Sequence, residues 1–176
     1  MQRKNVKNLV TAGLCLALGV AMPTLFHMVG LGSAFLPMHI PVLLCGLLCG
    51  WRLGLLCGIM TPLLCSLLTG MPPLFPTGVS MMFELAGYGA FTGFLYRAKQ
   101  CNLYLALVGA MLGGRAVYGV VNAVLMGVSG QAYGMAAFLA GAFANAIPGI
   151  IAQLIFVPLI VVALQKSHLV EPPCGR

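Results

Sequence analysis

The chain has 176 residues, of which nine are Lys or Arg and two are Glu, and 61% are hydrophobic. A soluble domain carries about 25% charged residues, whereas this one carries 6%, too few to cover a globule with water-compatible side chains. The same numbers exclude intrinsic disorder, which needs low hydrophobicity, and leave an integral membrane protein. At about 20 apolar residues per helical span, the length allows six or seven spans in a single membrane domain covering 1–176.

Apolar runs broken by charge, Pro and Gly place the spans in chain order. Span one covers about 9–28, after Arg3, Lys4 and Lys7. It is long for a signal peptide, and no clean small-residue cleavage site follows it. Residues 29–37, VGLGSAFLP, read as an uncharged loop. Span two covers about 38–50, Trp51-Arg52 reads as a tight turn, and span three covers about 53–69. Span two is short, as in a tilted or partly embedded segment. The Pro-rich GMPPLFPTG of 70–78 is a second loop, followed by spans at about 79–96, 103–127 and 136–164.

Residues 38–69 also read as one long helix, and charge parity decides between the two. With six spans, every Lys and Arg except Arg115 falls on one side, and the loops 29–37, 70–78 and 128–135 hold none. With five, Arg52 is stranded in the bilayer. The positive-inside bias favours an all-α, multi-pass membrane protein of six transmembrane helices with both termini cytoplasmic. The net charge of +7 is thereby accounted for. No basic stripe interleaved with aromatics marks a nucleic-acid surface, so no nucleic-acid partner is expected.

The seven Cys lie mostly inside apolar runs with no His or acid at ligand spacing, and read as small buried hydrophobes rather than a metal set. Two rows of small residues recur every four positions: Gly46, Gly50, Gly54 and Gly58, and Gly13, Ala17 and Ala21. Such rows let helix backbones approach closely in lipid. Each row admits two readings, packing inside the bundle or docking of another membrane subunit.

Among Lys, Arg and Glu, only Arg115 and Glu84 fall within spans. A charge at the centre of a membrane helix costs at least about 2.5 kcal/mol on the lenient scale, and intramembrane charges face an interior or cavity and have partners. Arg115 lies near the middle of span five, and Glu84 about 8 Å from the outer end of span four at 1.5 Å rise per residue. Arg115, Tyr118 and Asn122 share one helix face, as do Glu84 and Tyr88. Asn145 lies in the outer part of span six, Gln153 two turns deeper, and His39 at the outer mouth of span two. These groups converge on a pocket in the outer half of the bilayer, either as a ligand site or as a network locking the helices. His39 reads equally as a ligand contact or as packing at a helix start.

Catalytic chemistry is not indicated. The chain contains no Asp, which excludes a Ser-His-Asp set, and lacks zinc-protease, nucleophile-elbow and Walker A motifs. No half-to-half repeat of the kind secondary transporters carry is evident. No enzyme activity and no cofactor are expected, and a ligand-binding chain without an engine points to partner subunits.

Several stretches resemble the substrate-specific (S) components of energy-coupling factor (ECF) transporters: Phe35-Leu-Pro-Met-His-Ile-Pro-Val-Leu-Leu-Cys-Gly46, Gly70-Met-Pro-Pro-Leu-Phe-Pro76, Met82-Phe-Glu-Leu-Ala-Gly-Tyr-Gly89, Gly113-Gly-Arg-Ala-Val-Tyr-Gly119 with Asn122, and Pro148-Gly-Ile-Ile-Ala-Gln153. The order of these stretches and the six-span plan extend the resemblance over nearly the whole chain. It implies high-affinity capture of a vitamin or related micronutrient from outside the cell. It also implies assembly with a membrane coupling subunit and two cytoplasmic ATPases, docked through an Ala-x-x-x-Ala row that Ala17 and Ala21 match, with Gly13 one turn earlier. The loop after helix one closes the pocket in relatives; residues 29–37 hold that place here. Met38-His39 is internal, unlike the N-terminal Met-His segment of the family's metal-carrying members, so no metal is expected. One Arg and one Glu suit a small polar heterocycle such as a pyrimidine, pyridine or deazaguanine, with Arg115 on an acceptor or anion, Glu84 on N–H donors, and Tyr88 and Tyr118 stacked on the ring. A stand-alone channel or facilitator, or a membrane scaffold without a ligand, are the competing readings.

Overall fold

The computed structural model describes residues 2–28, 37–128 and 147–167, and among them the chain forms six helices: α1 (Gln2–Met28), α2 (His39–Cys49), α3 (Trp51–Thr69), α4 (Val79–Gly93), α5 (Leu103–Val128) and α6 (Ile147–Lys166). Four segments are long and apolar enough to cross a membrane: Val6–Phe26, Trp51–Thr69, Leu103–Gly127 and Gly149–Lys166. α4 runs on through a wider turn, Phe94–Ala98, closed by a bond from the Lys99 N–H to the Phe94 carbonyl. Together they make 20 residues, about 30 Å at 1.5 Å per residue. The all-helical, multi-pass membrane reading holds. The stretch 136–146, expected as the start of the sixth span, lies outside the described residues, as does most of the 29–37 loop.

α2 sits at the centre of the bundle. It has 11 residues, about 16 Å at 1.5 Å each, too short to span alone, and ten of the 11 are buried. α1, α3, α4 and α6 pack around it. That explains why it is apolar on every side, because a helix with no solvent or lipid face needs no polar stripe. Its ends can stop within the membrane for the same reason, since irregular backbone at depth is tolerated where protein covers it.

The corner between α2 and α3 is one residue, Gly50, at φ +95° and ψ 173°, a region that glycine enters without a steric penalty. The turn is therefore one residue earlier than Trp51-Arg52, which instead form the first turn of α3, with the Arg52 guanidinium 5.3 Å from the Trp51 ring centre. The early corner brings α3 back against α2 and both against α4. A Cβ on Gly54 would fall on the Gly89 carbonyl, one on Gly58 on the Leu85 carbonyl, and one on Gly46 on Gly89 and Thr92. The 46–50–54–58 row is thus internal packing, which sets backbone against backbone.

α1 lies on α2 and α3. Its inner face is Ala12, Cys15 and Gly19, where a Cβ at Gly19 would be 2.8 Å from the Thr61 methyl. Pro23 has no N–H to offer the Gly19 carbonyl four residues back, and the Cys65 thiol lies 3.7 Å from that oxygen. The cysteines 15, 45, 49, 57 and 65 are buried free thiols, and Cys101 is a half-buried one.

Most of the basic residues gather at one end. The Cys49 thiol meets the Asn8 carbonyl at 3.3 Å, bringing the start of α1 to the end of α2. Arg97 Nε donates to the Leu47 carbonyl at 3.1 Å, satisfying one of the last carbonyls of α2 with a cation. Gln165 donates to the Tyr96 hydroxyl at 2.9 Å, adding the end of α6. Lys7, Arg52, Arg97, Lys99 and Lys166 therefore share one end of the bundle, as charge parity requires. His39 and the 70–78 loop lie at the other.

The glycine contacts give a direct comparison. Gly58→Ala should lower the melting temperature of the detergent-purified protein, by an overpacking cost of about 1–3 kcal/mol. Gly13→Ala, where nothing lies within 4 Å of the added methyl, should leave it unchanged. Equal melting temperatures for the two variants would contradict the packing described here.

Candidate functional site

Ser80, Glu84 and Tyr88 recur every four residues on α4, which stacks them on one face, and all three are buried. The opposing helix, α5, can approach that face because residues 113 and 114 are glycines. A Cβ on Gly114 would be 3.1 Å from the Tyr88 ring and 3.2 Å from the Glu84 carbonyl. The next residue is Arg115, so the glycines bring its side chain up to Glu84. Arg115 Nη1 lies 3.3 Å from Glu84 Oε1, with the side chains 6% and 3% exposed. The third contributor is the first residue of α2. His39 Nε2 is 3.8 Å from the same Glu84 oxygen, fully buried, and its ring meets Tyr88 edge-on at 5.2 Å and 69°.

Three helices thus deliver a cation, a carboxylate, an imidazole and a phenol to one buried point. The pair is not saturated. Glu84 Oε1, Arg115 Nε and Nη2, and both ring nitrogens of His39 are buried without a hydrogen-bond partner, as are both side-chain polar atoms of Gln153 on α6. Buried polar groups are nearly always hydrogen-bonded, and an unmet one costs about 1–3 kcal/mol. Five of these unmet atoms belong to the three residues that meet at the ion pair, which therefore has hydrogen-bonding capacity that the protein does not fill.

Of the residues singled out in the sequence, His39, Glu84, Tyr88 and Arg115 come together. Asn122 lies farther along the same face and is already engaged: its Oδ1 accepts from the Ser80 hydroxyl at 3.0 Å and its amide donates to the Tyr118 carbonyl at 3.0 Å. It clamps α5 to α4. Tyr118 is half-buried, and Asn145 lies outside the described residues. Ser80 is the contributor that the sequence reading misses; its four-residue register with Glu84 and Tyr88 is the signal that finds it.

The second small-residue row behaves differently from the first. Gly13, Ala17 and Ala21 are exposed and line an open groove with Leu64 and Leu68 of α3. No described part of the bundle fills it. The same four-residue spacing therefore serves packing in α2 and α3 and leaves a free face on α1.

Arg115→Ala strands a carboxylate in the interior and should cost about 3–5 kcal/mol of stability, as breaking a buried pair does. The double variant Arg115→Ala/Glu84→Ala removes both charges and should lose much less than the sum of the two single losses. Unfolding of the purified protein in detergent measures the cycle, and strict additivity would mean that the two charges do not interact.

A family model, ECF transporter, substrate-specific component, matches residues 7–161. No curated protein and no solved structure matches the chain. The match takes in α2 to α5 whole, most of α1 and α6, and every described residue of the site. The chain belongs to the substrate-specific components of ECF transporters, the membrane subunits that bind the transported molecule.

Proposed function

We propose that this subunit captures a vitamin or related small heterocyclic micronutrient between α2, α4 and α5, and delivers it through an ATP-driven importer in a prokaryotic plasma membrane. The observation that carries the reading is the buried Arg115–Glu84 pair with its unmet hydrogen-bonding edges. A pair that served only to lock helices would gain from saturating those edges within the protein. In this reading Arg115 engages an acceptor on the ligand, Glu84 an N–H donor, and His39, Tyr88 and Tyr118 lie against the ring. Asn145 is a further candidate contact, whereas Asn122 is committed to Ser80 and the Tyr118 carbonyl and supports the site from the side. The site lies toward the end of the bundle away from the basic residues, which the positive-inside rule makes the outer end.

Family membership brings a membrane-embedded complex with a coupling subunit and ATPase subunits. We assign the coupling contact to the free face of α1, Gly13, Ala17 and Ala21. Small residues there permit a close helix crossing in lipid, and the groove beside them is open.

Two experiments test the two halves of the proposal. In a thermal-shift screen of vitamins and nucleobase derivatives, the cognate ligand should stabilise the purified chain by RT ln(1 + [L]/Kd), about 4 kcal/mol at a thousandfold excess over Kd. A screen without any shift would leave a scaffold as the better reading. Ala17→Leu should abolish uptake in cells yet leave binding by the purified chain intact. Uptake that survives this substitution would indicate a transporter that works without the coupling subunit.

A further inference from the structure

The unmet atoms of the site specify more than polarity. Resting on the ligand-site reading above, their balance narrows the ligand to a class. On the donor side are Arg115 Nε and Nη2, which form one edge of the guanidinium fork. On the acceptor side is Glu84 Oε1. Donors and acceptors are thus both in demand. They belong to side chains that touch, Arg115 Nη1 lying 3.3 Å from Glu84 Oε1.

A carboxylate would answer only the donors, leaving Glu84 Oε1 beside a second negative charge. An amine would answer only the acceptors and set a cation against Arg115. Either would also add a net charge to a buried point where Arg115 and Glu84 already cancel, and an uncompensated charge is costly to bury. A planar group with a carbonyl next to an N–H meets both demands at once and adds no charge.

We propose that the ligand is electrically neutral at the site and presents a lactam or carboxamide edge, its carbonyl toward the Arg115 Nε/Nη2 edge and its N–H toward Glu84 Oε1.

The test is a set of matched probes on the purified full chain in detergent, read by thermal shift and calorimetry. Three ring systems each supply one neutral member and charged relatives: nicotinamide with nicotinate and 3-(aminomethyl)pyridine; uracil with 5-carboxyuracil and 5-(aminomethyl)uracil; 7-deazaguanine with its 7-carboxy and 7-aminomethyl derivatives. In the ring system that binds, the neutral member should bind at least about tenfold more tightly than either charged relative, the scale of a hydrogen bond to a buried charged group. Glu84→Gln leaves Arg115 uncancelled and should reverse the order, making the carboxylate the tighter ligand. If Glu84→Gln does not fold, the ranking by the wild-type chain decides alone. A charged member binding most tightly, with affinity lost in Glu84→Ala or Arg115→Ala, would overturn the neutral-edge inference and leave the site in place. A charged member binding equally well to those variants would overturn the site as well. No binding by any member of the set would count against both.

Discussion

A guanidinium and a carboxylate held 3.3 Å apart in a protein that is otherwise oil is the constraint around which the bundle is arranged. Neither group is tolerable in lipid alone, so α4 and α5 must meet at that depth and in that register. The meeting needs room, which Gly113 and Gly114 supply by removing side chains where the α5 backbone passes Phe91 and Tyr88. Once α4 is fixed to α5, its other side receives Gly54 and Gly58 of α3, again backbone on backbone. The corner at Gly50 then places α2 in the space that remains, with His39 at the ion pair. The site and the packing follow from one requirement.

That requirement also orders the chemistry along α4. Ser80 is tied to Asn122 near the start of the helix, Glu84 to Arg115 one turn on, and Tyr88 to His39 one turn further. The first of these contacts is closed, both partners being satisfied by each other and by backbone. The second and third leave atoms unmet. The helix thus changes over two turns from a structural seam to a surface with hydrogen-bonding capacity to spare, the part to which we assign specificity.

Much of this was legible in the sequence, for identifiable reasons. Charge parity separated α2 from α3 although no proline marks the break, because a stranded Arg52 is too costly to accept. Arg115 and Glu84 were legible because polar atoms in lipid are rare enough to be informative one at a time. The two small-residue rows were not resolved. Gly46–Gly58 and Gly13–Ala21 carry the same spacing, and only the neighbours distinguish them: the Gly89 and Leu85 carbonyls against one, an open groove beside the other. The Gly50 corner was misplaced by one residue because Trp51-Arg52 looks like a break in hydropathy, whereas the break in geometry belongs to the glycine. Asn122 was placed on the right face, but spacing does not show that Ser80 and Tyr118 already occupy its amide.

The seclusion of α2 has a bearing on how the protein responds to its membrane. Bilayers differ in thickness, and spanning helices answer a mismatch by tilting or by deforming the lipid around them. Ten of the 11 residues of α2 are covered by protein, so lipid acts on this helix only through its neighbours. His39 rides on its first turn, and α2 is anchored at its far end by Arg97 and by the thiol contact to α1. The imidazole is therefore referenced to the protein rather than to the bilayer, and the outer helices are free to adjust their tilt without carrying it along directly. A binding subunit built this way keeps its recognition geometry insulated from changes in lipid composition.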